Sequence, residues 1–176
     1  MRALVLVLLV ATGFPAFGAV ESAAPGGFRV RNTIEVPVEP EMAWSALVAE
    51  VDRWWPRDHT WWGEASTLSI EAKAGGCFCE VAGARQAEHM RVAFVDPPKL
   101  LRMTGGLGPL QGMGLHGALE WQIDAIDGGS RITLTYQVGG YSPQDLTAFA
   151  PIVDQVQALQ LGVLGTFLTP PAEKQP

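Results

Sequence analysis

The sequence has few of the residues and motifs that usually carry catalysis or metal binding. Of its 176 residues, two are cysteine and three are histidine. There is no serine-nucleophile motif, no pair of carboxylates at short spacing and no His-x-x-x-His spacing. The common hydrolase and zinc-protease signatures are therefore excluded, but an enzyme that draws its acid and base from scattered strands is not.

Positive charge is scarce as well. Lys and Arg number 12 against 18 Asp and Glu, which gives a formal net charge of −6. Because there is no basic patch, nucleic acid is a poor partner. The length suits one domain, which we place at residues 28–168, followed by a short tail at 169–176.

The chain opens with a short apolar run. Residues 1–18 contain one positive residue, an apolar core, a helix breaker and a small-x-small site, in that order. This order predicts a secretory signal peptide that is cut near Gly18 or a few residues later. The alternative is a membrane anchor, but the run is well short of the ~20 residues that span a bilayer. We expect a periplasmic or secreted protein without a membrane anchor once the signal is removed.

The two cysteines, Cys77 and Cys79, are separated by one residue. On a regular strand their Cα atoms would lie ~6.5–7 Å apart, at the far edge of disulfide geometry. We therefore expect either two buried thiols on the same side as Val81, or a strained disulfide if the strand is bent.

Alternating apolar and polar residues predict a first strand from Phe28 to Val38, after a loose lead-in at 19–27. A helix of about four turns follows, from Pro40 to Trp55. Six further strands are predicted at 68–72, 77–81, 88–95, 100–104, 118–126 and 131–138. The glycine-rich stretch 105–117 is typical of a wide hairpin loop or bulged strand, and Asp127-Gly128-Gly129 of a tight hairpin turn.

The last long apolar run, from Ser142 to Leu168, predicts a helix. Ser142 and Pro143 suit its N-terminus, and apolar residues then recur at steps of three and four. Pro151 lies inside the run and predicts a kink or a broken start. A helix with so little charge must be covered on most sides, and the strands before it are the only available cover.

The order of strand, helix, six strands and long helix predicts an α+β fold in which a curved antiparallel β-sheet wraps around the C-terminal α-helix. A twisted sheet cannot contact a helix along its whole length. We therefore expect an internal cavity between the helix and the sheet.

Four stretches resemble the SRPBCC (START-like, helix-grip) superfamily. They are Trp54-Trp55-Pro56-x-Asp58-His59-Thr60, Gly75-Gly76-Cys77-Phe78-Cys79-Glu80, Gly105-Gly106-Leu107-Gly108-Pro109-Leu110 and Tyr136-x-Val138-Gly139-Gly140-Tyr141. The most similar branch is that of heat-shock-protein ATPase activator homologues and polyketide cyclase-like proteins. The resemblance implies the helix-grip fold but no catalytic set, because the superfamily includes lipid and hormone binders, cyclases and co-chaperones. The predicted signal peptide argues against a cytosolic co-chaperone.

Our first hypothesis is that the protein binds a small hydrophobic or amphipathic ligand in this cavity, without a cofactor or a metal. The candidate ligand-binding residues are Trp54, Trp55, His59, Trp61, Trp62, Arg91, Met103, Trp121, Tyr136, Phe149, Val153 and Asp154. The Trp54–Trp62 segment serves either as core or as a lid, and the 105–117 loop is a second lid. The polar tips of Tyr136 and Trp121 are candidates for single hydrogen bonds in an apolar pocket.

Asp154 is the one acid in the middle of the final helix. It either points to water on a narrow polar strip with Gln155 and Gln157, or meets a partner such as His59 or Arg91 at the cavity rim. Glu80, Arg91 and Asp124 are further polar groups placed near an apolar interior.

Two other hypotheses remain. A cyclase, dehydratase or hydrolase would use His59, His89 or Asp154 as acid and base, which predicts a strongly shifted pKa deep in the cavity. A metal-holding or protein-interaction module would use exposed aromatics or the set Cys77, Cys79, His59, His89 and His116. The Cys-x-Cys spacing and the separated histidines do not match a usual zinc site.

Overall fold

The computed structural model describes residues 17–169. In this described part of the chain, eight strands form one antiparallel sheet in the order β1-β2-β8-β7-β6-β5-β4-β3. The strands are β1 (Phe17–Ala24), β2 (Gly27–Val36), β3 (Thr67–Ile70), β4 (Cys77–Ala82), β5 (Arg85–Asp96), β6 (Leu100–Gly105), β7 (His116–Ile126) and β8 (Gly129–Gly139). The six strands predicted after the first helix are confirmed as β3 to β8, and the predicted tight turn joins β7 to β8 at Asp127 and Gly128.

Within residues 17–169, four α-helices accompany the sheet: α1 (Pro40–Ala49), α2 (Val51–Trp54), α3 (Pro109–Gly112) and α4 (Ala150–Leu168). The helix predicted between Pro40 and Trp55 is thus two helices, which meet at Glu50. Short 3₁₀ turns lie at Arg57–His59, Gly63–Ala65 and Leu146–Ala148. None of the described helices is both long and apolar enough to cross a bilayer.

The sheet curves around α4, as the helix-grip prediction requires. The C-terminal half of α4 packs tightly on the sheet, where Leu161 and Leu164 are fully buried. Gly165 lies so close to β2 that a Cβ added there would be 2.9 Å from the Cδ1 atom of Ile34. The N-terminal half of the helix instead leaves a space between itself and the sheet. The predicted α+β architecture, with its cavity, is confirmed.

The N-terminal lead-in is a strand of the sheet. The lead-in at 19–27 was expected to be loose, but β1 pairs with β2 from Phe17 to Ala24 and forms an edge of the sheet. Its small residues gain backbone hydrogen bonds that do not depend on side-chain periodicity. The predicted signal peptide falls mainly on residues 1–16, which lie outside the described residues, as do residues 170–176 of the predicted tail.

The start of the final helix was predicted eight residues too early. Ser142 Oγ accepts a hydrogen bond from the N–H of Gln144 (3.1 Å), and Asp145 caps the Leu146–Ala148 turn through the N–H of Thr147 (2.8 Å). Asp145 thus caps a 3₁₀ turn that continues through Phe149, in helical conformation (φ −81°, ψ −28°), into α4. Pro151 lies in the first turn of α4, where a missing N–H breaks no helical hydrogen bond. The broken start predicted from Pro151 is confirmed.

Cys77 and Cys79 form a disulfide with a Cα–Cα separation of 5.4 Å. The register between β4 and β5 shifts between Phe78 and Cys79, so the strand is bent there and the bridge becomes possible. The disulfide expected for a bent strand is confirmed, and Cys77, Cys79 and Val81 share one side of β4 as predicted. The expected burial of that side was wrong: both cysteines are half-buried and Val81 is 39% exposed, whereas Phe78 and Glu80 point inward. The sequence suggested the opposite because a carboxylate rarely faces a core.

Candidate functional site

A cavity of about 360 Å³ lies between the N-terminal half of α4 and the sheet. The segment after α2 contributes Trp55, Asp58, His59, Thr60 and Trp61, and strands β5 and β8 contribute His89 and Tyr136. The connection between β6 and β7 contributes Leu107, Gly108, Pro109, Leu110 and Met113. The N-cap of α4 contributes Phe149, and the helix itself contributes Ile152, Val153, Val156, Gln157 and Gln160. The lining is thus mainly aliphatic and aromatic, with a few polar groups.

The α4 wall arises directly from helical spacing. Its six residues lie at steps of three and four, so they share one face of the helix. Four of them are apolar and the last two are glutamines. Trp61 is 49% exposed and Ile152 57% exposed, so the cavity opens to solvent between the Trp61 loop and α4.

Glu80 fixes the loop that carries Trp61. Its carboxylate accepts backbone N–H bonds from Trp61 (2.9 Å) and Trp62 (3.2 Å), and hydrogen bonds from the Ser66 hydroxyl and from Nε2 of His89 (2.8 Å). Glu80 is fully buried. A buried carboxylate is tolerable only when it is hydrogen-bonded in this way, so the aromatic loop is anchored to β4 and is not a free flap.

The same hydrogen bonds set the ionisation states of Glu80 and His89, which lie 2.8 Å apart. Burial by itself would raise the pKa of Glu80, but the bonds from Ser66, Trp61, His89 and Trp62 hold this pKa below its ordinary value. Burial lowers the pKa of His89 below its ordinary value, against the opposing effect of the Glu80 carboxylate. At neutral pH the pair is therefore an ionised Glu80 and a neutral His89 whose Nε2–H donates to it.

A second anchor holds the base of this loop. Arg57 pairs with the Asp52 carboxylate (3.0 Å) and donates to the Ser66 carbonyl (3.1 Å), while Asp52 also accepts the N–H of Leu68 (2.8 Å). Burial opposes the ionisation of Asp52, but these bonds lower its pKa overall. The segment from α2 to β3 is thereby tied at both ends.

The glycine-rich connection at 105–117 covers the cavity as a structured lid. It contains α3, which the prediction of a loop or bulged strand missed. Gly108 has a φ of 57°, in the region that favours glycine, where the chain turns into this helix. The Tyr136 hydroxyl accepts the N–H of Leu107 (2.9 Å) and donates to the Gly105 carbonyl (3.0 Å). Burial raises the pKa of Tyr136 to about 12, so the hydroxyl stays protonated and pins the lid.

Six of the twelve candidate residues line the cavity. They are Trp55, His59, Trp61, Tyr136, Phe149 and Val153. Tyr136 reaches it as predicted from an inward-facing strand position, but its hydroxyl bonds to the lid backbone. The indole of Trp55 donates to the His59 carbonyl (3.2 Å).

The other six candidates do not line it. Trp54, Met103 and Trp121 belong to the core; the Trp54 and Trp121 rings are 6.1 Å apart, and Trp54 donates to the Ala46 carbonyl (2.9 Å). Trp62 packs under the Arg85 guanidinium, 5.3 Å from its ring centroid.

The two charged candidates have partners away from the cavity. Arg91 is exposed and pairs with Glu88, because its position on β5 points outward. Asp154 is half-buried and accepts a hydrogen bond from Asn32 (3.0 Å) on β2. Neither His59 nor Arg91 is therefore its partner.

Sequence reasoning underestimated Glu80, Gln157 and Gln160. Gln157 was placed with Gln155 on a strip facing water, yet it is 2% exposed and lines the cavity. The available signal was spacing, since Gln157 and Gln160 continue the row of Val153 and Val156 at helical steps. Polarity concealed them, because patterning assigns amides to the surface.

The metal-capable set is dispersed. The disulfide removes both thiolates of Cys77 and Cys79. His59 and His89 both line the cavity, whereas His116 begins β7 and is exposed. Within residues 17–169, no three His, Cys, Asp or Glu side chains come together as a metal-binding group.

The family described as "Polyketide cyclase / dehydrase and lipid transport" matches residues 27–164. The solved structure of CalU16 from Micromonospora echinospora is similar over 90% of this chain and 88% of its own, with 13% identity and a TM-score of 0.59. The protein of unknown function EF2215 from Enterococcus faecalis is similar over 92% and 82%, with 12% identity and a TM-score of 0.59. The Aha1 dimer from Colwellia psychrerythraea is similar over 80% and 95%, with 15% identity and a TM-score of 0.56. No curated protein matches the chain.

The fold is the helix-grip fold, and the family match over residues 27–164 supports membership of the SRPBCC superfamily, as the sequence motifs suggested. Because the family model matches residues 27–164, the chain belongs to the polyketide cyclase/dehydrase and lipid transport family.

Proposed function

We propose that this chain is an exported protein that binds a small hydrophobic or amphipathic molecule in the cavity between α4 and the sheet. The cavity itself carries the proposal. Its volume of about 360 Å³ lies at the lower end of the ~300–1,000 Å³ range of ligand pockets. An apolar lining with a few convergent polar groups is the usual composition of such a site.

The cavity walls suit reversible binding. Trp55 and Trp61 offer flat apolar surface to a ligand, and their loop is held by buried hydrogen bonds of Glu80. The lid is short and is tied to Tyr136 by two hydrogen bonds. Because the cavity opens to solvent between the Trp61 loop and α4, entry and release do not require the lid to move or the sheet to unfold.

Export rests on two observations. The order of features in residues 1–18 is that of a signal peptide. Disulfides persist in oxidising compartments, and Cys77 and Cys79 are disulfide-bonded. Recovery of the protein from the periplasm or medium of its host, followed by N-terminal sequencing, tests this part. Intact protein that still carries residues 1–18 in the cytosol would overturn it.

Binding is tested by native mass spectrometry of protein produced in its own host. We expect a mass excess that is released on denaturation, and quenching of tryptophan fluorescence when the released molecule is added back. Val153→Phe places extra volume in the cavity and should reduce uptake at least tenfold. Leu159→Phe is the matched control, because Leu159 is exposed on the same helix and does not line the cavity. Equal uptake by both variants would place binding elsewhere.

Acid–base catalysis in the same cavity is a second candidate function. It is favoured by the buried pair of Glu80 and His89, in which a carboxylate orients an imidazole that lines the cavity. A neutral imidazole that donates from Nε2 has a lone pair on Nδ1, which can accept a proton. If the captured molecule is converted, chromatography will show a dehydrated or cyclised product that His89→Gln protein does not form. An unchanged molecule after prolonged incubation leaves binding as the sole activity.

A further inference from the structure

Three polar side chains form a continuous hydrogen-bonded row along one side of the cavity. The amide nitrogen of Gln157 donates to Oε1 of Gln160 (3.1 Å), and the amide nitrogen of Gln160 lies 3.3 Å from Nδ1 of His59. Nδ1 accepts this bond when the imidazole proton is on Nε2. The amide nitrogens of Gln157 and Gln160 therefore each have an acceptor within the row.

The row ends in an atom without a partner. Oε1 of Gln157 is buried and receives no hydrogen bond from the described residues, 17–169. Gln157 is 2% exposed and lines the cavity. Leaving a buried acceptor unsatisfied costs stability, and natural structures rarely do so. A bound molecule with a donor group would satisfy this oxygen.

Charge restricts what that molecule can be. Among the described residues that line the cavity there is no Lys or Arg, and the one carboxylate, Asp58, is exposed. A ligand carboxylate would meet an acceptor oxygen at Gln157 and neither Lys nor Arg, and an ammonium would be buried against a single neutral amide. Burial of either charge is costly, so the row selects an uncharged donor.

We propose that the ligand is an uncharged alcohol or phenol, whose hydroxyl donates to Oε1 of Gln157 while its apolar body lies against Trp55, Phe149 and the lid. This inference rests on the proposed binding function and adds the chemical class of the ligand. A hydroxyl is favoured because it can donate to Gln157 and is cheap to bring into an apolar cavity when so paired.

The test compares three probes of similar size: decanol, its isomer nonyl methyl ether, which has no donor, and decanoate, which is charged. Affinities are measured by tryptophan fluorescence and calorimetry on the mature protein. We expect decanol to bind about tenfold more tightly than the ether, since a hydrogen bond to a buried polar group contributes roughly that factor. Decanoate should bind at least as weakly as the ether.

Two substitutions on α4 test whether the preference for decanol depends on Gln157. Gln157→Met keeps the length of the side chain but removes the acceptor, and should make decanol and the ether bind equally. Gln155→Met is the control, because Gln155 is exposed on the same helix and does not line the cavity. It should retain the tenfold preference.

The outcomes separate the two proposals. Binding of decanol and the ether with equal affinity to the unaltered protein would overturn the ligand class and leave the binding function standing. Preference for decanoate would overturn it as well. Failure of all three probes to bind, together with no copurifying molecule, would overturn both. The comparison of probes on the unaltered protein does not depend on the folding of Gln157→Met.

Discussion

The carboxylate of Glu80 lies 2.8 Å from Nε2 of His89 and at the same time accepts the backbone N–H groups of Trp61 and Trp62. One buried acid on β4 thereby connects a wall of the cavity to the loop at its mouth. The disulfide between Cys77 and Cys79 lies on the opposite face of the same strand, and the bulge beside it precedes Glu80 by one residue.

Glu80→Gln should destabilise the protein by about 2–3 kcal/mol, measured by urea unfolding. The amide would present a donor to the N–H groups of the loop and would lose the charge that strengthens these bonds. Glu88→Gln is the control, because Glu88 pairs with Arg91 at the surface and such pairs contribute at most about 1 kcal/mol. Equal effects of the two substitutions would show that the buried bonds of Glu80 contribute no more than a surface pair.

Acidification should destabilise the protein in two stages. The pKa of His89 is lower in the folded protein than in the unfolded chain, so below about pH 6.5 the unfolded state binds the extra proton and stability falls as pH decreases. The pKa of Glu80 is also lowered; its contribution is present above about pH 4.3 and is lost as pH falls through the folded value.

Thermal melts between pH 8 and pH 4 check the first stage. His89→Gln should flatten the slope that begins near pH 6.5, whereas His116→Gln, at an exposed position, should leave it unchanged. A slope that survives in His89→Gln protein would assign the acid sensitivity to other groups.

Tyr136→Phe should loosen the lid while the sheet remains intact. The substitution removes the hydroxyl that donates to the Gly105 carbonyl and accepts the N–H of Leu107. Its loss should lower the free energy of unfolding by about 1–2 kcal/mol. Hydrogen exchange should accelerate for the amide of Leu107 and its neighbours in α3. Tyr141→Phe, at a residue that is 89% exposed, should change neither stability nor exchange. Unchanged protection of Leu107 in the Tyr136 variant would contradict the assigned role of the hydroxyl.

Reduction of the disulfide should lower the free energy of unfolding only slightly. Cys77 and Cys79 are two positions apart, so the bridge closes a very short loop and constrains the unfolded chain by only about 1–2 kcal/mol. Melting temperatures with and without reductant measure this cost. The double variant Cys77→Ser with Cys79→Ser should be insensitive to reductant. Collapse of the fold on reduction would mean that the bulge itself, and with it the position of Glu80, depends on the bridge.

Much of the fold could be predicted from local patterns. The strands from Phe28 onward show the alternation of half-buried sheet, and α4 shows the spacing of a helix that must be covered. Strand β1 could not be found in this way, because its small residues carry no alternation and its stability comes from pairing with β2. The start assigned to the last helix was too early because the capping residues Ser142 and Asp145 stabilise a turn and a 3₁₀ segment that lead into α4.

The site was harder to predict than the fold. Residues such as Phe149 and Val153 reach the cavity because apolar periodicity marks the inner face of α4. Glu80 was placed near the apolar interior, but its role as an anchor could not be predicted, because only its partners show it. Gln157 was placed on the surface, because hydrophobic patterning treats a buried polar residue as exposed.

By itself, the sequence determined the class of architecture, since the period of its apolar residues specifies strands, helices and their inner faces. Tertiary structure decided which of these inward side chains face a cavity and which fill the core. Trp55 and Trp54 are adjacent and both buried, yet Trp55 lines the cavity and Trp54 packs against Trp121. That difference depends on where the curved sheet separates from α4, a distance that no local pattern encodes.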